Sequence, residues 1–159
     1  MKKLIIFIIV CLLSLPALAE GPAKYEHSST GTTITFPNDW KVSVTGVQIL
    51  AVAPDKSISV VVQGLGKMDI TAASKKVKSW VGASYKNLRT ANAGWSTLGG
   101  MKIYFFRYSG NFNGTLLEGI ATLADGPKGL AFILTSSLQT KAASHRLVIK
   151  EIFKSFGKL

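Results

Sequence analysis

An uninterrupted apolar stretch late in the chain, Leu130-Ala131-Phe132-Ile133-Leu134, decides the fold. A strand with one solvated face alternates apolar and polar residues, so a continuous run of this length predicts a strand that is buried on both faces. The runs Ile49-Leu50-Ala51-Val52 and Val60-Val61-Val62 repeat this pattern. Together, the three runs predict a sheet that is covered on both sides.

Turn residues between the apolar runs favour antiparallel hairpins. Pro54-Asp55-Lys56-Ser57 connects two of the runs, and Gly64-Leu65-Gly66 is expected to break the strand before it. The predicted strands lie at 24–28, 32–36, 42–44, 49–53, 58–62, 95–98, 101–108, 115–123 and 130–135. Their spacing predicts a mostly antiparallel sheet.

A helix is predicted between the two groups of strands, from Thr71 to about Leu88, with Asp69 or Thr71 as its cap. Apolar positions recur at helical spacing along this segment. Its opposite face carries four cations: Lys75, Lys78, Lys86 and Arg89. We predict that this basic helix face steers an anionic partner, although a merely solvated face accounts for the same four residues.

A second helix is predicted from about Thr140 to Phe156, with an apolar face that includes Val148, Ile152 and Phe153. The two helices can cover the two faces of the sheet, one each. The predicted fold class is therefore α+β, a mostly antiparallel sheet with helices on both faces in an α/β/α sandwich. An arrangement with both helices on one face remains open.

The N-terminus has the three-part layout of a secretory signal peptide. Lys2 and Lys3 precede an apolar run from Leu4 to Leu15, and Ala17-Leu18-Ala19 offers a cleavage site. We predict a signal peptide at 1–19, cleavage after Ala19, and one domain at 20–159 that is periplasmic or secreted. The single cysteine, Cys11, leaves with the leader, so no lipid anchor is expected. The apolar run is too short for a comfortable transmembrane helix, and no transmembrane segment is expected after cleavage.

The mature chain is strongly basic. Without Lys2 and Lys3 the 19 basic residues become 17, which against 8 acidic residues leaves a formal charge of +9. Outside the cytoplasm this charge favours an anionic partner, such as a phospholipid surface, a cell-wall polymer or an acidic protein. A basic exported protein with no dedicated anionic ligand accounts for the same charge equally well. Nucleic acid is not expected as a partner, because an exported protein seldom meets it.

Two aromatic segments resemble those of a known family. Ile34-Thr35-Phe36-Pro37-Asn38-Asp39-Trp40 near the start and Ile152-Phe153-Lys154-Ser155-Phe156 at the end, with the strands and helices between them, look like the PsbP-like superfamily. This family includes the PsbP subunit of photosystem II and the DcrB-like and LpqN-like envelope proteins. The resemblance implies an α/β/α sandwich that binds or organises macromolecules, and it carries over no catalytic residue.

Residues suited to chemistry are few and scattered. His27 is expected at the surface, whereas His145 lies on the apolar stripe of the second predicted helix, as a core histidine or as a group in a pocket. Glu118 lies in mid-strand, pointing outward or into a cleft. No nucleophile motif, dinucleotide loop or zinc ligand set is present, so we predict no catalytic, cofactor-binding or metal-binding residues and no cofactor.

Two classes of function follow from these features. The favoured one is a non-catalytic, exported accessory module that docks on an envelope protein or another anionic partner. The alternative is a carrier of a small molecule or lipid, with an apolar pocket between sheet and helix near His145 and Trp95. A hydrolase is a third and more distant hypothesis.

Overall fold

The computed structural model describes residues 22–159 as two antiparallel sheets and two helices. The elements are β1 (Ala23–His27), β2 (Thr32–Phe36), β3 (Lys41–Thr45), β4 (Gln48–Val52), β5 (Ile58–Gly66), α1 (Ile70–Ser84), β6 (Lys86–Leu98), β7 (Met101–Phe112), β8 (Thr115–Asp125), β9 (Leu130–Leu138), α2 (Arg146–Ser155) and β10 (Gly157–Lys158). The large sheet has the order β3-β4-β5-β9-β8-β7-β6, and the small sheet has the order β1-β2-β10.

Strand β9 lies inside the large sheet, as its apolar run predicts. It pairs with β5 on one side and β8 on the other, and all its residues except Leu138 are buried. Leu130, Phe132 and Leu134 pack in the core beneath α1, while Ala131 and Ile133 belong to the core on the opposite face. Both faces of the sheet are therefore buried along this strand.

The two helices cover opposite faces of the large sheet, which confirms the predicted fold class. Val77 and Val81 of α1 pack on one face, whereas Ile152 of α2 packs on the other. The small sheet joins α2, because the backbone N–H of Thr35 donates to Ser155 Oγ at 2.8 Å. The alternative with both helices on one face is wrong.

The small sheet is stabilised by aromatic stacking and by the hydrogen bonds of a buried histidine. Phe36 and Trp40 stack with their ring centres 6.1 Å apart. His27 is only 3 % exposed, so its predicted surface position is wrong. Its Nε2 donates to the carbonyl of Val47 at 2.8 Å, and its Nδ1 lies 2.7 Å from Thr30 Oγ1. The imidazole is buried because these bonds tie the small sheet to the β3–β4 turn.

Helix α1 ends at Ser84, earlier than predicted. Asp69 caps its start, as expected, by accepting from the Ala72 N–H at 2.9 Å. Tyr85 then leaves the helical conformation, and its ring packs against Tyr108 and Phe112 at 5.1 and 5.6 Å. The predicted helix through Leu88 is wrong because burial of the Tyr85 ring and pairing with β7 outweigh the local helical pattern.

The terminal helix begins at Arg146, not near Thr140. A single 3₁₀ turn spans Gln139–Lys141, and tight turns continue to His145. His145 has φ −93° and ψ −3° and hydrogen-bonds Ser57 through Nε2, so it lies at the start of the helix and not in its middle. The contact with Ser57 fixes a turn in which the N–H groups of His145 and Arg146 bond three residues back, to Ala142 and Ala143, and not in the α-helical pattern of four.

Gly64-Leu65-Gly66 does not end its strand. Strand β5 continues to Gly66, with a bulge between Gly64 and Gly66 opposite β9. Gly66 has φ +73°, a conformation that glycine adopts without strain, so the bulge is accommodated without loss of pairing.

The predicted signal peptide at 1–19 and its cleavage site lie outside the described residues. Neither α1 nor α2, the two α-helices within 22–159, has the length and apolar character needed to cross a membrane.

Gly119→Ala should sharply destabilise the fold. A Cβ at this position would overlap the Thr135 carbonyl oxygen of the neighbouring strand and would lie 3.0 Å from the Tyr108 ring. We expect the free energy of unfolding to fall by about 2–4 kcal/mol, measured by urea denaturation. The matched control is Gly82→Ala, on the exposed side of α1, which should stabilise by about 0.5–1 kcal/mol. Equal stability of the two variants would contradict this packing.

Tyr108 should make the protein sensitive to alkali. Burial, with a further contribution from Tyr85, raises the pKa of the Tyr108 phenol well above its usual value. The unfolded chain ionises this phenol near pH 10. Its neutral folded form therefore contributes stability that is complete below about pH 10 and is lost as the pH rises toward the folded-state pKa.

Tyr108→Phe should lower stability at neutral pH by about 1–2 kcal/mol, because the hydroxyl bonds to Ser136 and to the Thr135 carbonyl disappear. The variant should also show a shallower decline above about pH 10 in chemical denaturation. Tyr25→Phe is the control, since no hydrogen bond of its hydroxyl occurs within residues 22–159. A decline as steep in Tyr108→Phe as in wild type would refute this assignment.

Candidate functional site

The structure divides the predicted basic helix face between two elements. Lys75 and Lys78 are exposed on α1, while Lys86 and Arg89 lie in β6. The placement of all four on one helix is therefore wrong. Arg89 pairs with Ser109 of β7, and its side chain lines a groove beneath α2, on the face opposite α1.

An exposed aromatic pair lies beside α1 at the end of the large sheet. Trp95 of β6 faces Tyr104 of β7 across the strand pair, with ring centres 5.0 Å apart. Tyr104 is half-buried and continues toward the buried Phe106, whose ring centre is 6.5 Å away. Trp95 is 47 % exposed, which is unusual for so large an apolar side chain.

Two lysines lie over these rings. Lys102 Nζ is 4.4 Å from the Trp95 ring centre, and Lys78 Nζ is 5.4 Å from that of Tyr104. Such cation–π contacts contribute about 0.5–1 kcal/mol each at exposed positions, so they hold the lysines beside the aromatic surface. We name the four residues the aromatic–lysine surface: Lys78, Trp95, Lys102 and Tyr104.

The helix beside this surface carries charge of one sign, while Asp125 lies across from Lys102 at the end of β8. Helix α1 carries Lys75, Lys76 and Lys78 and contains no acidic residue. The nearest acidic residue along the chain, Asp69, is occupied in capping the helix. The face is therefore suited to attract a negatively charged surface.

His145 belongs to a hydrogen-bonded chain on the other face of the sheet. The Ser57 hydroxyl donates to the Asp55 carboxylate at 2.7 Å and accepts from His145 Nε2 at 2.5 Å. The side-chain and backbone hydrogen bonds from Ser57 lower the pKa of Asp55 below its usual value. The order of groups is thus Asp–Ser–His, whereas a nucleophilic triad places the histidine between the other two.

This chain links two turns. The Ser57 proton is committed to Asp55, and Ser57 is only 4 % exposed. A substrate cannot approach a hydroxyl in this position without displacing the turn. The arrangement ties the β4–β5 connection to the start of α2.

His145 and Trp95, both predicted near one apolar pocket between sheet and helix, do not line a common pocket. Trp95 lies on the α1 face with Tyr104, whereas His145 begins α2 on the opposite face. The large sheet separates them. A groove does exist between the sheet and α2, but neither residue lines it.

Sequence reasoning missed four cations that matter here. Lys102 joins the aromatic–lysine surface, and Arg107, Arg146 and Lys150 line the groove beneath α2 with Arg89. One signal was available, since Arg107 interrupts the aromatic run Tyr104-Phe105-Phe106-Arg107-Tyr108. Glu118, for which two orientations were open, faces this groove.

Residues 22–159 contain no group of three or more histidine, cysteine, aspartate or glutamate side chains that could hold a metal ion. The titratable groups of this part of the chain are instead dispersed or occupied in capping and turn contacts, as Asp69 and Asp55 are.

Comparison with known proteins identifies the fold. No family model and no curated protein matches the chain. Among solved structures, cyanobacterial PsbP (CyanoP) from Synechocystis sp. PCC 6803 is similar with a TM-score of 0.66 and 14% identity, covering 93% of this chain and 99% of that one.

Two further structures are similar. LpqN of Mycobacterium tuberculosis, which is involved in cell envelope biogenesis, has a TM-score of 0.58 and 13% identity, with 86% of this chain and 90% of that one covered. PA94 of Pseudomonas aeruginosa, a protein of unknown function, has a TM-score of 0.57 and 11% identity, with coverage of 86% and 96%. The chain has a PsbP-like fold, which confirms the resemblance seen in the sequence.

Ser57→Ala should release both ends of the hydrogen-bonded chain. We expect the pKa of Asp55 to rise toward its usual value, because its main stabilising donor is lost, as measured by carboxyl NMR titration. The free energy of unfolding should fall by about 1 kcal/mol. The control is Ser59→Ala, since the Ser59 hydroxyl has no hydrogen bond within the described chain. An unchanged Asp55 titration would show that Ser57 does not hold this turn.

Proposed function

We propose that this protein is an exported, non-catalytic accessory module that docks on an acidic surface of an envelope protein. The observation that carries the proposal is the aromatic–lysine surface, where a half-exposed tryptophan and a tyrosine lie under two lysines. Tryptophan and tyrosine are enriched among the residues that dominate protein-binding energy.

The geometry suits a protein surface better than a small molecule. Trp95 and Tyr104 lie on neighbouring strands of one sheet face, so their rings form a continuous aromatic area. Lys78 and Lys102 approach this area from α1 and β7. An aromatic centre with a charged rim is the arrangement typical of protein interfaces.

The lysines give the partner its expected charge. Helix α1 presents Lys75, Lys76 and Lys78 on the same side of the sheet as Trp95. Long-range attraction from such a surface accelerates association with an acidic protein and weakens as salt rises. An acidic docking site on the partner follows.

Export is supported by the N-terminal sequence and by similar structures. Residues 1–19 have the layout of a signal peptide, and LpqN, a protein of similar fold, is involved in cell envelope biogenesis. We propose that cleavage after Ala19 releases the protein into the periplasm or beyond the cell. N-terminal sequencing of the mature protein would test that step.

The docking proposal can be tested by cross-linking at a defined position. A photo-reactive amino acid replaces Thr97, the exposed cross-strand neighbour of Lys102, in the full chain, in the cells that produce it, and the cross-linked protein is identified. We expect one acidic envelope protein, with a yield that falls as salt rises. Measured with that purified partner, Trp95→Ala should weaken binding about 30-fold.

Charge reversal gives an independent readout. Lys78→Glu with Lys102→Glu should slow association at low salt by about tenfold or more, with a smaller effect at high salt. The matched control is Lys41→Glu with Lys158→Glu, which changes the net charge equally at positions on β3 and β10. Equal effects of the two pairs would show that only net charge matters and would refute this docking surface.

A further inference from the structure

A groove of about 630 Å³ separates α2 from the β6–β9 part of the large sheet. It lies on the face opposite the aromatic–lysine surface, because α1 and α2 cover opposite faces. A ligand in this groove would not compete with a partner docked on the other face. The groove is therefore a separate site, beyond the proposed docking function.

The floor of the groove consists of two rows of residues that pair across four strands. The first row is polar: Arg89, Ser109, Glu118 and Ser137. The second row mixes a cation with apolar side chains: Ala91, Arg107, Ile120 and Thr135. Successive residues of a strand point to opposite faces of the sheet, so residues two apart point to the same face. The two rows are two residues apart on every strand, and both therefore face α2.

The roof is one face of α2. Arg146, Ile149, Lys150 and Phe153 all line the groove. Their spacing of three and four residues places them on a single side of the helix. This side is thus cationic toward its first turn and apolar toward its end, where Phe153 lies.

The groove has a strong positive charge. Four cations and the single carboxylate of Glu118 give it a formal charge of +3. Within residues 22–159 the one ion pair joins Lys154 to Glu151, so the groove cations have no ion-pair partner in this part of the chain. Three of the four are arginines, whose planar guanidinium groups bind carboxylate or phosphate oxygens in pairs.

The groove also contains partly open apolar surface, although Ile149 and Phe153 pack against the core with their other side. Ile120, Ile149 and Phe153 are each only half-buried. We infer that the groove binds a single-chain amphiphile whose headgroup is an oxyanion, with the headgroup at the arginines and the chain along these apolar residues.

Each simpler ligand leaves part of the groove without a partner. An inorganic anion would not cover Ile149 and Phe153, and a neutral amphiphile would offer no oxyanion to the four exposed cations. The volume lies within the range of about 300–1,000 Å³ that is usual for small-molecule sites. A carboxylate headgroup and a phosphate headgroup share the required chemistry, and a comparison of ligands with each headgroup distinguishes them.

The test measures binding of four probes by isothermal titration calorimetry, each below its micellar concentration. The probes are decanoate, decyl phosphate, decyl maltoside as the neutral control, and inorganic phosphate as the headgroup alone. We expect saturable binding of an anionic amphiphile at one molecule per chain. Decyl maltoside and inorganic phosphate should each bind at least about tenfold more weakly. Preference for decyl phosphate would indicate a phospholipid-derived ligand, and preference for decanoate a fatty acid.

Variants that weaken binding and a variant that strengthens it together distinguish loss of a specific contact from damage to the fold. Arg107→Gln with Arg146→Gln should weaken binding of the anionic amphiphile at least about tenfold. Glu118→Gln should strengthen it about threefold, because it removes the one carboxylate of the groove. Lys154→Gln is the control, since Lys154 lies on the same helix outside the groove and should leave affinity unchanged.

Several results would overturn the inference. One is equal binding of the neutral and the anionic amphiphiles, and another is uptake of many molecules per chain without saturation. A third is weaker binding of the anionic amphiphile by Glu118→Gln than by the wild type. Loss of binding in Lys154→Gln equal to that in the arginine variant would also do so. Because the groove and the aromatic–lysine surface lie on opposite faces, Arg107→Gln with Arg146→Gln should leave docking of the protein partner intact.

Discussion

The structure depends on the burial of β9 on both sides of the large sheet. Its apolar residues alternate between the α1 core and the α2 core, with Phe132 on one face and Ile133 on the other. Neither helix alone can remove both sets from water, so both layers are required. The chain supplies one layer before the β6–β9 strands and the other after them, which explains the separation of the helices in the sequence.

Coverage by the helices is incomplete, and both candidate sites arise from this. Helix α1 leaves the end of the β6–β7 pair open, so Trp95 and Tyr104 remain accessible beside its lysines. On the other face α2 also contacts the small sheet through Ser155 and Thr35. The space between α2 and the outer strands then remains as a groove. The two faces of the β6–β7 pair therefore offer surfaces of different chemistry.

The edge strand β6 shows how an exposed sheet end is kept from uncontrolled pairing. Its register shifts twice against β7, and Asn87 and Asn92 adopt left-handed conformations with φ +54° and +50°. Irregular edges discourage the addition of a further strand. The exposed side chains of β6 can then serve a side-on partner, whereas its backbone edge offers no regular template for one.

Most of the strands, their turns and the two-sided burial of the sheet were determined by the sequence alone, because alternation, apolar runs and turn residues act within a few positions of the chain. The first residues of β6, from Lys86, were predicted as helix, and β10 was not predicted. The helix ends were decided by tertiary structure. Tyr85 stops α1 through its contact with Tyr108, and His145 delays α2 through Ser57. The site residues were decided in the same way: Arg89 and Arg146 become neighbours only when a strand and a distant helix pack together. Such contacts between distant segments have no local pattern, since their energy comes from burial and charge in the assembled fold.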